Sequence, residues 1–193
     1  MTLRLGPITL PWPGKTAQDP YWDFFINTPA ADPRNVVPEL IRQAPEGVVA
    51  PVKADIHTPE ITSTHVKEFG FFLGADLIGI VKLTEQEAAE HDNYPFAIIT
   101  IVKADHDPRR ALGIGGQVPV QDGQYVTFVL AAYIRELGFR ATAALGGDGV
   151  ELALRAGLGH LNSQGRLVTP KYGSKVYVAD VIYTDIPLAA DGS

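Results

Sequence analysis

Apolar residues in this chain fall into short blocks that switch between two periods. Leu77–Lys82 (LIGIVK) and Phe96–Lys103 (FAIITIVK) are dense β-branched runs of strand length, and both end in lysine. Val176–Thr184 (VYVADVIYT) is the last strong strand, and Arg140–Ala144 is a shorter strand-like stretch. Helical spacing appears elsewhere. Thr58-Pro59-Glu60 opens a helix with a capping hydroxyl and a proline in the first turn. Ile61, Val66, Phe69 and Leu73 then recur at roughly helical spacing until Gly74 ends the run. A long helix is predicted from about Gly123 to Leu137, stopped by Gly138, and Asp148 is placed to cap a short helix through Arg155. Gly113–Gln121 reads as a glycine-rich loop.

Helices and strands alternate, but several connections are too short for parallel crossovers. The pattern therefore predicts an α+β fold with a mixed sheet flanked by helices, not a doubly wound one. The first 57 residues differ in kind. Pro11, Pro13, Pro20, Pro29, Pro33 and Pro38 rule out a long helix, yet Trp12, Tyr21, Trp22, Phe24 and Phe25 are too apolar for a solvated tail. Residues 1–57 are expected to form an arm that buries Trp12, Tyr21, Trp22 and Phe25 on the core or on a partner subunit, with residues 58–193 as the domain proper.

Composition narrows the function classes. A net charge of −6 with interspersed signs gives no basic face for nucleic acid. No apolar stretch is long enough to cross a bilayer, and the N-terminus lacks the basic start and apolar run of a secretion signal, so the cytoplasm is the expected compartment. The chain has no cysteine. That removes disulfides, thiolate zinc sites, cysteine nucleophiles and cysteine-ligated iron–sulfur clusters.

Candidate chemistry concentrates near the C-terminus. Ala156-Gly157-Leu158-Gly159, Leu167-Val168-Thr169-Pro170, Tyr172-Gly173-Ser174 and Thr184-Asp185-Ile186-Pro187-Leu188 follow one another closely. Glycines serve where backbone turns tightly or meets a ligand at close range. The plainer reading makes Gly157 a helix cap and Gly173 a turn. Taken together, the segments resemble the cobalamin-binding core of the reductive dehalogenases and epoxyqueuosine reductases. Phe72–Ile80 (FLGADLIGI) and Tyr133–Phe139 (YIRELGF) resemble further segments of that family, so the resemblance covers about Thr58 to Leu188.

The resemblance implies a nitroreductase-like α+β fold and a base-off cobalamin held at Gly157, Gly159, His160, Leu167, Val168, Thr169, Tyr172, Gly173 and Ser174. Family enzymes that respire halogenated compounds often carry a twin-arginine signal, and none is visible here. Cysteine-rich cluster motifs follow the core in the family; here no cysteine can ligate an iron–sulfur cluster, so either a separate ferredoxin or flavoprotein would deliver electrons or the chain is a fragment cut before the cluster domain. His160 departs from the family pattern. It is either a loop histidine bonded to backbone or a cobalt ligand, though the family keeps the lower axial position empty. A proton donor in the family lies just before or within the long helix, which implies Tyr125 as the acid and Asp122 as the reserve. The plainer alternatives are a first-turn core aromatic and an N-cap. Lys103, Arg109 and Lys171 are the cations that could assist a phenol.

Three other motifs weigh less. Asp55-Ile56-His57-Thr58-Pro59-Glu60 resembles a methyltransferase corrinoid motif but ends in glutamate where glycine is needed. Gly157–Asn162 echoes a dinucleotide fingerprint but follows a helix and lacks the third glycine. Asp105-His106-Asp107 could bind a metal or be an ordinary turn before proline. The expected function is a corrinoid-binding protein, part of a Co(I)-dependent reductase if catalytic. The alternatives are a non-catalytic cobalamin carrier or processing protein and a flavin-binding nitroreductase-like enzyme. A homodimer is the expected assembly.

Overall fold

The computed structural model describes residues 2–5, 8–11, 20–144 and 149–192. Strands β1 (Thr2–Leu5) and β2 (Ile8–Pro11) pair as an antiparallel hairpin. Helices α1 (Pro20–Asn27) and α2 (Val37–Gln43) follow, both of two turns, as a proline-rich segment allows. The main domain then runs α3 (Pro59–Leu73), β3 (Leu77–Lys82), α4 (Glu85–Glu90), β4 (Phe96–Lys103), α5 (Val118–Glu136), β5 (Ala141–Ala144), α6 (Gly149–Arg155), β6 (His160–Leu161), β7 (Leu167–Val168) and β8 (Val176–Thr184).

The sheet order is β3-β4-β8-β5. The class is α+β, as expected, and every pairing among the described strands is antiparallel. The central strand β4 has buried residues on both faces because side chains alternate. Ile98, Ile80, Ile78 and Ile182 face α3 and α5, where they meet Val66, Leu130 and Ile134. Ile99, Ile101, Val81, Val181 and Tyr183 face the other way, towards Leu152, Ala153, Ala156 and Leu167. The sheet is thus the middle of three layers, and the AGLG segment belongs to the second outer one.

Predicted β3, β4 and β8 have the observed bounds, and α3 carries the expected cap, with the Thr58 hydroxyl accepting from the Ile61 N–H. Ile61 itself is exposed: it sits in the first turn, on the side away from α5 and the sheet. Helix α5 begins at Val118, so the second half of the expected glycine-rich loop is helical, with Pro119 in its first turn. Asp148 lies outside the described residues.

Residues near the C-terminal end of the described chain are tied down: the Asp191 N–H donates to Ile80 O at the edge of β3, while its carboxylate accepts from the Ile80 N–H and from Lys67. This covers an otherwise open strand edge. The N-terminal arm behaves as expected only in part. It runs along α5, where Ala50 and Ala54 donate to the carbonyls of Arg135 and Leu137, and Phe25 packs on Gly115. Tyr21, expected to be buried, is 74% exposed on this chain, because α1 docks through its C-terminal turn alone. Trp12 and the Trp22 side chain lie outside the described residues. No helix among the described residues is long and apolar enough to cross a membrane.

Gly79 is a tight link between β3 and the turn after α6. A methyl group there would lie 2.5 Å from Ala156 Cβ and 3.0 Å from Leu158 Cδ1. Overpacking of this kind costs about 1–3 kcal/mol. Gly79→Ala is therefore expected to lower the unfolding free energy by that amount, seen as a lower urea midpoint with an unchanged denaturant slope.

Candidate functional site

Helix α6 ends at Arg155, and the following residues close it. Gly157 N–H donates to Leu154 O (3.0 Å) and Leu158 N–H to Ala153 O (2.9 Å), with Gly157 at φ 71°. This is a Schellman turn. The plainer reading of Gly157 holds, and the turn has a second effect: it places Leu158 over Gly79. Gly159 is pressed against the Val168 backbone, where a side chain would collide with its carbonyl.

Two tight turns follow. His160 and Leu161 pair with Val168 and Leu167, and Asn162 Oδ1 bridges the loop by accepting from the N–H groups of Gln164 (2.9 Å) and Arg166 (3.0 Å). Thr169 and Gly173 then exchange backbone hydrogen bonds of 2.9 and 3.0 Å. The Thr169 hydroxyl, in a residue only 2% exposed, accepts from the Tyr172 N–H at 3.2 Å. A short polar side chain that bonds backbone a few residues on is what such a turn requires. The Tyr172 phenol lies beside Lys171 and raises its ammonium pKa.

These turns border a cleft of about 340 Å³ at the end of the sheet where β4 finishes and β8 starts. Leu167 and Ser174 line it, together with Gly165, Asp105, His106, Asp107, Arg109, Arg166, Lys175 and Tyr177. Asp107 accepts from Arg109 Nε (3.1 Å) and Arg166 Nη2 (3.1 Å), and the Arg109 guanidinium chiefly holds its carboxyl below the usual range. Asp105 lies 3.8 Å from both Lys103 and Lys175. His106 Nε2 meets Gly116 O at 3.0 Å. Three cations on the wall face two carboxylates, so the cleft is locally basic on an acidic protein. Burial raises the Tyr177 phenol pKa.

The expected site residues divide accordingly. Leu167 and Ser174 reach the cleft; Val168, Thr169, Tyr172 and Gly173 build the turn beside it; Gly157 and Gly159 support that turn from below. His160 is exposed on β6 and does not line the cleft. Asp122 and Tyr125 lie one turn apart on α5, whose Gly123 packs on Ala179 and Tyr177 of β8. They share the cleft's end of the sheet but not its wall. Asp122 has no hydrogen bond or ion pair among the described residues, and desolvation raises its carboxyl pKa. Tyr125 is 51% exposed, so it is not the core aromatic of the plainer reading. Sequence reasoning missed Arg166 and Lys175 as wall residues. It met Asp105-His106-Asp107 as a metal motif, but no group of three or more His, Asp or Glu among the described residues could hold a metal ion. The two aspartates are engaged with cations.

No protein-family profile matches the chain. Among curated proteins, tetrachloroethene reductive dehalogenases of Desulfitobacterium hafniense and Dehalobacter restrictus are 41% identical over 69 residues, 34% of this chain and 12% of theirs. Among solved structures, a reductive dehalogenase described for B12-dependent dehalogenation superposes with a TM-score of 0.68 at 27% identity over 80% of this chain and 24% of that one. The catabolic reductive dehalogenase NpRdhA gives 0.69 at 26% identity, with the same coverage. Over about four fifths of its length the chain is similar in fold to the reductive dehalogenases. An epoxyqueuosine reductase from Bacillus subtilis, at TM-score 0.50 and 14% identity, shares the fold alone. The chain spans about a quarter of the solved enzymes' length and an eighth of the curated ones.

In this dehalogenase-like chain, α6 and its turn are anchored by Arg155, which binds Glu87 in the capping box of α4. The Arg155 hydrogen bond, then the Thr84 backbone, lowers the Glu87 pKa from 4.5 to about 2. A depressed carboxylate stabilises the fold fully above its unfolded pKa and loses that contribution as pH falls towards the folded one. Glu87 should therefore contribute above pH 4.5 and progressively less down to about pH 2. In Glu87→Gln the acid limb of a stability–pH profile should flatten over that window. The pair is partly exposed and so screened, and the loss near neutrality is expected to be no more than about 1 kcal/mol.

Proposed function

We propose that this chain binds a corrinoid, cobalamin, at the end of the sheet marked by Leu77, Lys103 and Val176, with the nucleotide tail entering the basic cleft. One observation carries the reading: the segment that resembles the corrinoid family, Leu167–Ser174, forms the rim of a cleft whose other wall is cationic. A volume of about 340 Å³ suits the phosphate-bearing tail; the macrocycle would lie outside, over the turns. Gly165 and Gly173 have positive φ and no neighbour within 4 Å of an added methyl, so their backbone is open to close approach. Arg109, Arg166 and Lys175 are suited to a phosphate diester. The residues present thus fit the group, and tail capture in the cleft corresponds to a base-off cofactor.

Bound cobalamin would supply reductive chemistry that no side chain of this protein can. The chain's own part is to hold the tail, shape the approach and keep a proton ready. Asp122 fits the last role better than Tyr125. Asp122 is exposed like Tyr125, but partial burial with no counter-charge among the described residues raises its carboxyl pKa, which favours the protonated form. Residues 1–193 hold no cysteine to ligate a cluster, so electrons would reach the site from outside this segment, with a ferredoxin or flavoprotein as the kind of donor proposed. A non-catalytic carrier is the second reading, and the exposure of Tyr125, with no cation bonded to it, favours that. A homodimer remains part of the proposal, with α1 (exposed Tyr21 and Phe24) as the surface it would cover.

Hydroxocobalamin reconstitution followed by visible spectroscopy tests the first reading. We expect a retained, base-off cofactor, and about tenfold weaker binding in Arg166→Gln/Lys175→Gln, a loss of about 1.4 kcal/mol. A base-on spectrum or no retention overturns it. With a strong chemical reductant and a halogenated aromatic, an enzyme loses turnover in Asp122→Asn while keeping the bound cofactor. A carrier shows no turnover in either form.

A further inference from the structure

A second cavity lies away from the basic cleft, behind α5. It holds about 250 Å³ and is bounded by α2 and the chain after it (Ile41, Ala44, Glu46), by one face of α5, and by Thr142, Ala143 and Asp180 of the sheet. Gln124, Thr127, Ala131 and Arg135 contribute from α5 at spacings of three and four residues, so they form a single stripe. The middle of the cavity is apolar, with Phe128, Ala131, Ile41 and Ala143, and its two ends are polar.

Each polar end has unspent capacity. Arg135 is only 5% exposed, yet among the described residues its side chain makes one hydrogen bond, Nη1 to Ala141 O at 2.7 Å, and an ion pair with Glu46 at 3.8 Å. A guanidinium carries five N–H donors in a planar fork suited to a carboxylate. Burial without full pairing lowers the Arg135 pKa. At the other end, three turns away along α5, Gln124 is 2% exposed and its Oε1 has no hydrogen-bond partner. A buried acceptor left unmet is destabilising, so a ligand donor there would relieve it. Arg42 and Arg135 on the wall balance Glu46 and Asp180, so the cavity favours a ligand with both signs or with no net charge.

We infer that this cavity is a binding site for a small amphipathic carboxylate with an N–H donor at its far end, an ω-amino acid in chemical class. Its carboxylate would take the free donors of Arg135 in place of the distant Glu46, its chain would lie along Phe128 and Ala131, and its amine would donate to Gln124. The site is independent of the corrinoid reading, since none of its residues lines the basic cleft.

Calorimetric titration of the full chain with 4-aminobutanoate, 6-aminohexanoate, 8-aminooctanoate, hexanoate and hexylamine tests the inference. Saturable binding is expected for one aminoalkanoate length, at least tenfold tighter than for hexanoate or hexylamine. Ala131→Leu fills the apolar middle and should abolish binding while circular dichroism stays unchanged. Gln124→Met should erase the preference for the amine over plain hexanoate without abolishing carboxylate binding. Gln124→Glu should strengthen aminoalkanoate binding. No saturable binding of any probe at millimolar concentration overturns the inference, as does binding that survives Ala131→Leu unaltered. Since Arg135 also holds the Ala141 carbonyl, Arg135→Lys serves only as a further check, with tenfold weaker binding expected in a folded protein.

Discussion

Everything else in this molecule depends on the burial of β4 on both faces. A strand such as FAIITIVK, apolar at nearly every position, is stable only with a strand on each edge and a layer on each side. The edges are met by β3 and β8, and one face by α3 and α5. The other face needs apolar cover from a stretch of chain too short for a second pair of long helices. That cover comes from α6, the Schellman turn at Gly157 and the two turns after it. The candidate binding segment is therefore also a core layer, and Ala156 and Leu167 are as buried as the strands they cover.

This double duty explains how turns that face solvent can still be rigid. Gly79 lets Ala156 and Leu158 sit directly on β3, and Gly159 lets β7 close on the turn. Arg155 and Glu87 hold the helix end from outside. Thr169 then spends its buried hydroxyl within the turn, so the backbone from Thr169 to Gly173 is bonded internally. The polar wall opposite is held by Asp107 between two arginines. A ligand entering the cleft would meet a site already organised, which lowers the ordering cost of binding.

The five-residue TDIPL motif shows how family-like sequence and function can part company. Thr184 accepts from Ile186 N–H and donates to Arg140 O, while Asp185 binds the Arg140 backbone and guanidinium. These contacts fasten the end of β8 to the turn before β5, at the end of the sheet away from the cleft. The motif builds the frame in which the site stands. Its role was not readable from residue types alone, since Thr-Asp before proline is equally a turn, a cap or a ligand pair.

What the sequence alone determined was local: strands where β-branched runs are strand-sized, the start of α3 at a threonine cap, helix ends at Gly74 and Gly138, and the absence of cysteine chemistry. It also singled out a candidate segment, because several short motifs stand in a recognisable order. The start of α5 was misread because Pro119, a breaker inside a helix, is a starter in its first turn. Only the tertiary structure decided which residues share a space. Asp107 and Arg166 are 59 positions apart and form one wall; Glu46, the α5 stripe from Gln124 to Arg135, and Thr142 of β5 come from three separate segments and enclose one cavity. Those proximities follow from strand order and layer packing, which are non-local, and no periodicity along the chain encodes them.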